Sequence, residues 1–164
     1  LYGGTIRPQK LRIASATNAS IFSGDVVNLS SGYVIQGTAT GTPAGAFMGV
    51  FYTATDGTPT YSTYWPADTA TLGSADAEAY VYTDPGIVYE AQFTAGTPAV
   101  SFIGNKYTIS TTAGSTNNGR SKEGVTATTS SGIALCNRFV DSPSNSIGAN
   151  ARGYFTFPTN VFAV

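Results

Sequence analysis

The chain has 164 residues, with eight Lys and Arg against nine Asp and Glu, giving a net charge of -1. Only 10% of the residues are charged, no histidine occurs, and Cys136 is the one cysteine. These counts exclude Ser-His-Asp and Cys-His catalytic sets, histidine-ligated metals, internal disulfides and thiolate metal cages.

The near-neutral balance argues against a nucleic-acid or anionic-membrane surface. No apolar run approaches the roughly 20 residues of a membrane helix. The chain opens on Leu1-Tyr2-Gly3-Gly4 rather than on Met, without a charged segment followed by an apolar one. No secretory signal is therefore expected in it, and a processed or incomplete chain is. Thr, Ser, Val, Tyr and Phe are abundant while Leu is scarce, a balance that suits pleated, half-buried strands rather than helices. Aromatics at 12% separate the chain from disordered segments of similarly low charge.

Residues 1–10 read as an N-terminal arm, with Gly3-Gly4 and Pro8 and no core pattern. Residues 11–164 read as one β-rich domain. A first strand is expected over Leu11–Ala16, with Leu11 and Ile13 on one face. A hairpin follows, with Val26, Val27 and Leu29 leading through Ser30-Ser31-Gly32 into Tyr33, Val34 and Ile35. Gly37 to Gly45 is a loop, and Phe47 to Thr53 an apolar strand. Asp56-Gly57 is a turn dipeptide of the type I′ kind, and Thr58 to Trp65 is the expected return strand.

Glu78, Tyr80 and Tyr82 alternate with Ala79 and Val81. Asp84-Pro85-Gly86 then reads as a turn, with Pro fixing φ and Gly allowing a positive one. Ile87 to Phe93 is expected to return beside the first strand, so Tyr82 to Phe93 reads as a hairpin. The one helix signal lies over 98–103, with Thr97 at the N-cap, Pro98 at the first helical position and Gly104 after the end. Tyr107 to Ser110 resumes strand, and Thr111 to Lys122 is a polar loop containing Asn118-Gly119. Gly132 to Val140 and Arg152 to Phe157 are the last strands, around a 141–149 loop, and the apolar tail is expected to be tied down. Turns recur at roughly 10-residue spacing, the pattern of an antiparallel β-sandwich or barrel with long loops.

Without histidine, carboxylates are the remaining acid–base candidates. Glu78 and Glu90 flank the Asp84-Pro85-Gly86 turn, and paired strands would bring them close enough for glycoside hydrolysis. The composition also resembles that of small jelly-roll xylanases, although two outward glutamates on a hairpin are ordinarily a solvated face. Asp76, Glu78 and Asp84 lack the spacing of a calcium loop, and no metal or cofactor is expected. Asn18-Ala19-Ser20 and Asn28-Leu29-Ser30 match a glycosylation acceptor pattern, a chance match in a chain this rich in Ser and Asn. Cys136 reads as a buried small hydrophobe. Gly114 to Gly119 lacks the Lys and the βαβ context of a phosphate loop. Candidate interface residues are Leu1, Tyr2, Ile6, Arg7 and Lys10 in the arm, with the aromatics Tyr61, Tyr64 and Trp65.

The run Thr83-Asp84-Pro85-Gly86-Ile87-Val88-Tyr89-Glu90-Ala91-Gln92 resembles the capsid decoration, or cement, proteins of tailed bacteriophages, in particular those of marine and cyanobacterial podoviruses. Gly24-Asp25-Val26-Val27, Ile103-Gly104-Asn105 and Gly119-Arg120-Ser121-Lys122 are similar too, so the resemblance runs from about residue 20 to 140. It implies a non-enzymatic virion protein on the outer surface of an HK97-type head. Such a protein binds major capsid protein subunits and stabilises the expanded shell. It further implies a homo-oligomer, a trimer at local threefold sites ahead of a dimer at twofold sites. The rival readings are a tail, fibre or adhesin-type β module that binds a host surface, and the small β-sandwich glycosidase.

Overall fold

The computed structural model describes residues 7–129 and 131–163. They form an all-β fold, whose only helical pieces are short 3₁₀ turns at Leu72–Ser74 and Val100–Phe102. The strands of the first half are β1 (Gln9–Ile13), β2 (Ile21–Phe22), β3 (Val26–Ser30), β4 (Tyr33–Gln36), β5 (Gly45–Thr53), β6 (Pro59–Ser62), β7 (Tyr64–Trp65) and β8 (Ala77–Tyr82). Those of the second half are β9 (Tyr89–Gln92), β10 (Lys106–Tyr107), β11 (Ile109–Ser110), β12 (Gly124–Val125), β13 (Ala134–Phe139) and β14 (Arg152–Thr156).

The first half closes into a five-stranded barrel. Its strands run in the order β3-β4-β1-β8-β5, and β5 pairs back onto β3 while carrying β6 on its far end. Only β1 and β4 pair in parallel. Closure needs β5 to pass tightly between two neighbours, and Gly45 allows it: its φ is +152°, and a Cβ there would lie 1.9 Å from the Tyr82 carbonyl oxygen. Alternation sends Ile13, Val27, Val34, Phe47, Val50, Ala77, Ala79 and Val81 inward. The β2–β7 pair adds Ile21 and Trp65 to this core.

The second half is a four-stranded sheet in the order β10-β13-β14-β9, with the β11–β12 pair beside it. Its core gathers aromatic rings around Phe93. Phe102, Tyr107 and Phe155 meet that ring edge-on, with centroids 5.4–5.7 Å away, a favoured aromatic geometry. The C-terminal tail is tied down as expected, since the Asn160 side chain donates to the Ala44 carbonyl and the Val161 N–H to that of Pro43.

The largest departure from the sequence reading is at Tyr82 to Phe93. The two strands exist, but they are not a hairpin. Both edges of β8 are taken by β1 and β5, so β9 crosses to the other sheet and pairs with β14. The Asp84-Pro85-Gly86 turn forms, with Ile87 N–H donating to the Asp84 carbonyl and Gly86 N–H to the Asp84 carboxylate. Gly86 does not use a positive φ; the turn directs the chain between sheets.

Smaller differences have local causes. The first strand begins at Gln9, so Gln9 and Lys10 belong to the sheet rather than to the arm. The type I′ turn sits at Ser31-Gly32, where both φ values are positive (50° and 85°). At Asp56-Gly57 only Gly57 is left-handed, which is the turn-plus-bulge alternative. The expected 58–65 strand breaks at Thr63 into β6, which pairs with β5, and β7, which pairs with β2. The expected helix is only the 3₁₀ turn at Val100–Phe102, without a side-chain cap.

Candidate functional site

The outward side of the barrel strands β1, β5, β6 and β8 carries a cluster of exposed apolar side chains. Phe51 on β5 lies directly across from Tyr61 on β6 and Glu78 on β8. Tyr61 is 56% exposed, and Phe51 and Met48 are 38% exposed. Tyr61 and Tyr80 approach to 6.3 Å between ring centroids. Gly49 creates the space for this arrangement, because a Cβ there would come within 2.5 Å of the Tyr61 Oη. The Tyr61 ring therefore lies along β5, where a side chain would otherwise stand.

The rim of this face is charged but neutralised. Lys10 Nζ donates to Glu78 at 2.9 Å and sits 5.8 Å from the Tyr80 ring centroid. The hydrogen bond to Glu78, then its charge, raises the Lys10 ammonium above its usual range. Arg12 reaches Asp76 at 3.3 Å. Paired charges around an exposed aromatic centre make a surface suited to contact with another macromolecule.

Of the expected interface residues, Tyr61 and Lys10 meet on this face. Arg7 lines a small hollow with Thr83, Asp84, Pro85 and Phe162, away from it. Leu1, Tyr2 and Ile6 lie outside the described residues. Trp65 is a correction. It is wholly buried in the barrel core, with Tyr52 edge-on at 5.4 Å, and offers no surface. Tyr64 points the other way and stacks on Phe22 at 5.3 Å and 7°, so it is a packing residue.

Sequence reasoning missed Met48 and Phe51, because an apolar run does not reveal which of its residues a bulge turns outward. The β5–β8 register does shift between Phe47 and Gly49. Tyr80 was legible, because Glu78, Tyr80 and Tyr82 alternate with small apolar residues.

A second feature is a cleft of about 570 Å³ between the barrel and the second sheet. Phe47, Met48 and Tyr82 line one side of it, Tyr89 to Ala91 of β9 another, and the segment 120–125 a third. Glu123 lies on this wall, half-buried, with Oε2 accepting the Val26 N–H at 2.8 Å. The Tyr89 hydroxyl, also on this wall, donates to the Tyr82 carbonyl; burial, then the charge of Asp84, pushes it up to about 12.

Glu78 and Glu90 are not brought together. They stand on strands of different sheets, each bound to its own cation: Glu78 to Lys10, and Glu90 to Arg152 at 3.0 Å. Asp76, Glu78 and Asp84 are likewise dispersed, and among the described residues no three His, Cys, Asp or Glu side chains converge on a metal-sized site. Asn28 is buried and reaches Thr38, so that acceptor pattern is not at the surface. Cys136 is buried as expected, and burial pushes its thiol up, away from the reactive thiolate. The fold and this face define an all-β module with an exposed aromatic surface. Compared with family models, curated proteins and solved structures, the chain matches none.

Proposed function

We propose that this protein is a non-enzymatic structural protein of a tailed-phage virion. It coats the outer surface of an HK97-type head and bridges major capsid protein subunits of the expanded shell. The observation that supports this reading best is the face formed by Met48, Phe51, Tyr61 and Tyr80. It is apolar at its centre, and its rim charges are already paired. Such a face binds by area. Repeated over a symmetric shell as a trimer or a dimer, modest contacts sum to firm occupancy. The resemblance at 83–92 points the same way, and those residues form the crossing that holds the barrel to the second sheet.

The test is co-sedimentation of the purified protein with expanded and unexpanded heads of the phage that encodes it. Saturable binding to expanded heads alone is the expected result. Binding to neither form would overturn the reading and favour the fibre or adhesin module. In that case the same tyrosines would be screened against host-surface glycans.

A further inference from the structure

Two carboxyl side chains lie close enough at the seam between the barrel and the second half to feel each other's charge, and neither is paired with a cation. Asp25 is wholly buried in the turn between β2 and β3, where its Oδ2 accepts the Phe22 N–H at 2.8 Å. Glu123 approaches from the loop before β12, and its Oε2 accepts the N–H of Val26, the residue after Asp25. Asp25 Oδ1 and Glu123 Oε1 are both buried without a hydrogen-bond partner.

Around them the segment 119–123 is strapped to the start of β3. Ser23 N–H donates to the Gly119 carbonyl, Ser121 N–H to the Ser23 carbonyl, and Glu123 N–H to Ser121 Oγ. The Val26–Glu123 hydrogen bond is the last rung of this strap and depends on an ionisable side chain, as does the contact of the Ser121 hydroxyl with Asp25.

The other groups around the pair do not neutralise it. Glu90 of β9 lines the same cleft but is bound to Arg152. Tyr82 and Tyr89 also line it, and neither side chain can supply a positive charge. Arg120 and Lys122 belong to the strap and are exposed, and neither forms an ion pair with Asp25 or Glu123 among the described residues. Burying two ionised carboxylates without a cation is costly, and a bound proton relieves it.

We propose that Asp25 and Glu123 form a proton-operated clasp. With a proton held on the pair, the 119–123 strap stays closed on β3, and losing that proton loosens the strap and opens the cleft. Burial pushes Glu123 up to about 8, the charge of Asp25 adds to this, and the Val26 N–H opposes it. Burial also raises Asp25, against the Ser121 hydroxyl and the Phe22 N–H. A carboxyl raised on folding favours the folded state below its unfolded value, 4.5 for Glu. It loses that contribution as pH rises through about 8. The clasp is therefore closed at neutral pH and open in mild alkali.

The test follows amide exchange of Val26 and Ser121 from pH 6.5 to 9.5, corrected for intrinsic rates. The expected result is protection that falls by about tenfold or more between pH 6.5 and 8 and levels off above 8, absent in a Glu123→Gln variant, which stays closed throughout. Carboxyl ¹³C shifts of the unmodified protein provide a measurement that needs no variant, and Glu123 should titrate near 8. Unchanged protection across the range, the same loss in Glu123→Gln, or a Glu123 carboxyl titrating near 4.5 would each overturn the proposal.

Discussion

The outward faces of the two sheets are built from similar strands and end in opposite surfaces. On the barrel, Met48, Phe51, Tyr61 and Tyr80 leave apolar rings uncovered. On the outer side of the four-stranded sheet stand Glu90, Gln92, Arg138, Arg152 and Tyr154, bound largely to each other. Arg152 pairs with Glu90, Arg138 lies 4.5 Å over the Tyr154 ring, and the Gln92 amide donates to the Asn150 carbonyl. An antiparallel sheet with one face in water ordinarily resembles the second case. The uncovered aromatics of the first are thus the departure that the proposed docking would cover, and the second sheet is the internal control.

The most damaging substitution lies behind the barrel's exposed face. Trp65 is the single tryptophan and lies wholly buried in the barrel core. Trp65→Ala should cost about 3–5 kcal/mol, read as a lower urea midpoint by circular dichroism. The second sheet has its own core around Phe93 and Phe155. Its amides should therefore lose less exchange protection than those of β5 and β8. Equal loss in both halves would mean that the two cores unfold as one.

A milder break acts on barrel closure. Gly45→Ala places a Cβ against the Tyr82 carbonyl in a backbone conformation that side chains rarely adopt. Strain of about 1–3 kcal/mol is expected, with exchange rising first along the β3–β5 seam. Gly57→Ala makes a useful control, since Gly57 also has a positive φ but open space around it.

The β3–β4 hairpin and the β8–β9 crossing show how much of this was legible. Ser31-Gly32 supplies the turn between two short β runs, and the residues on either side pair directly, Ser30 with Tyr33. Everything needed to read that element lies within ten residues. Asp84-Pro85-Gly86 is an equally clear turn, yet which strand β9 joins depends on β1 and β5 having filled both edges of β8. That competition is between segments distant in sequence, so a local reading of the turn cannot resolve it. The same limit applies to the wall. The alternation of Glu78, Tyr80 and Tyr82 is local, whereas the exposure of Met48 comes from a bulge in the β5–β8 register. Asp25 and Glu123 gave no sequence signal as a pair, because they are nearly a hundred residues apart.

Variants that change one face at a time separate the two surfaces. Replacing both Phe51 and Tyr61 with Ser removes two half-covered rings and the cross-strand pair between them, so stability should fall by about 1–2 kcal/mol, well short of the loss at Trp65. If this wall is the docking face, head occupancy should fall tenfold or more, equivalent to about 1.4 kcal/mol or more of binding free energy.

The smallest effect is expected from the matching change on the other sheet. Glu90→Gln breaks an exposed ion pair with Arg152, and such pairs contribute about 0–1 kcal/mol. Arg152 keeps the Ser144 hydroxyl as an acceptor, and its backbone stays bonded to Asn145, so the β9–β14 pairing should persist. Stability and occupancy should both stay near those of the parent protein. If Glu90→Gln instead abolished occupancy while the Phe51 and Tyr61 double variant kept it, the docking face would be the four-stranded sheet. The exposed rings of the barrel would then need a different occupant.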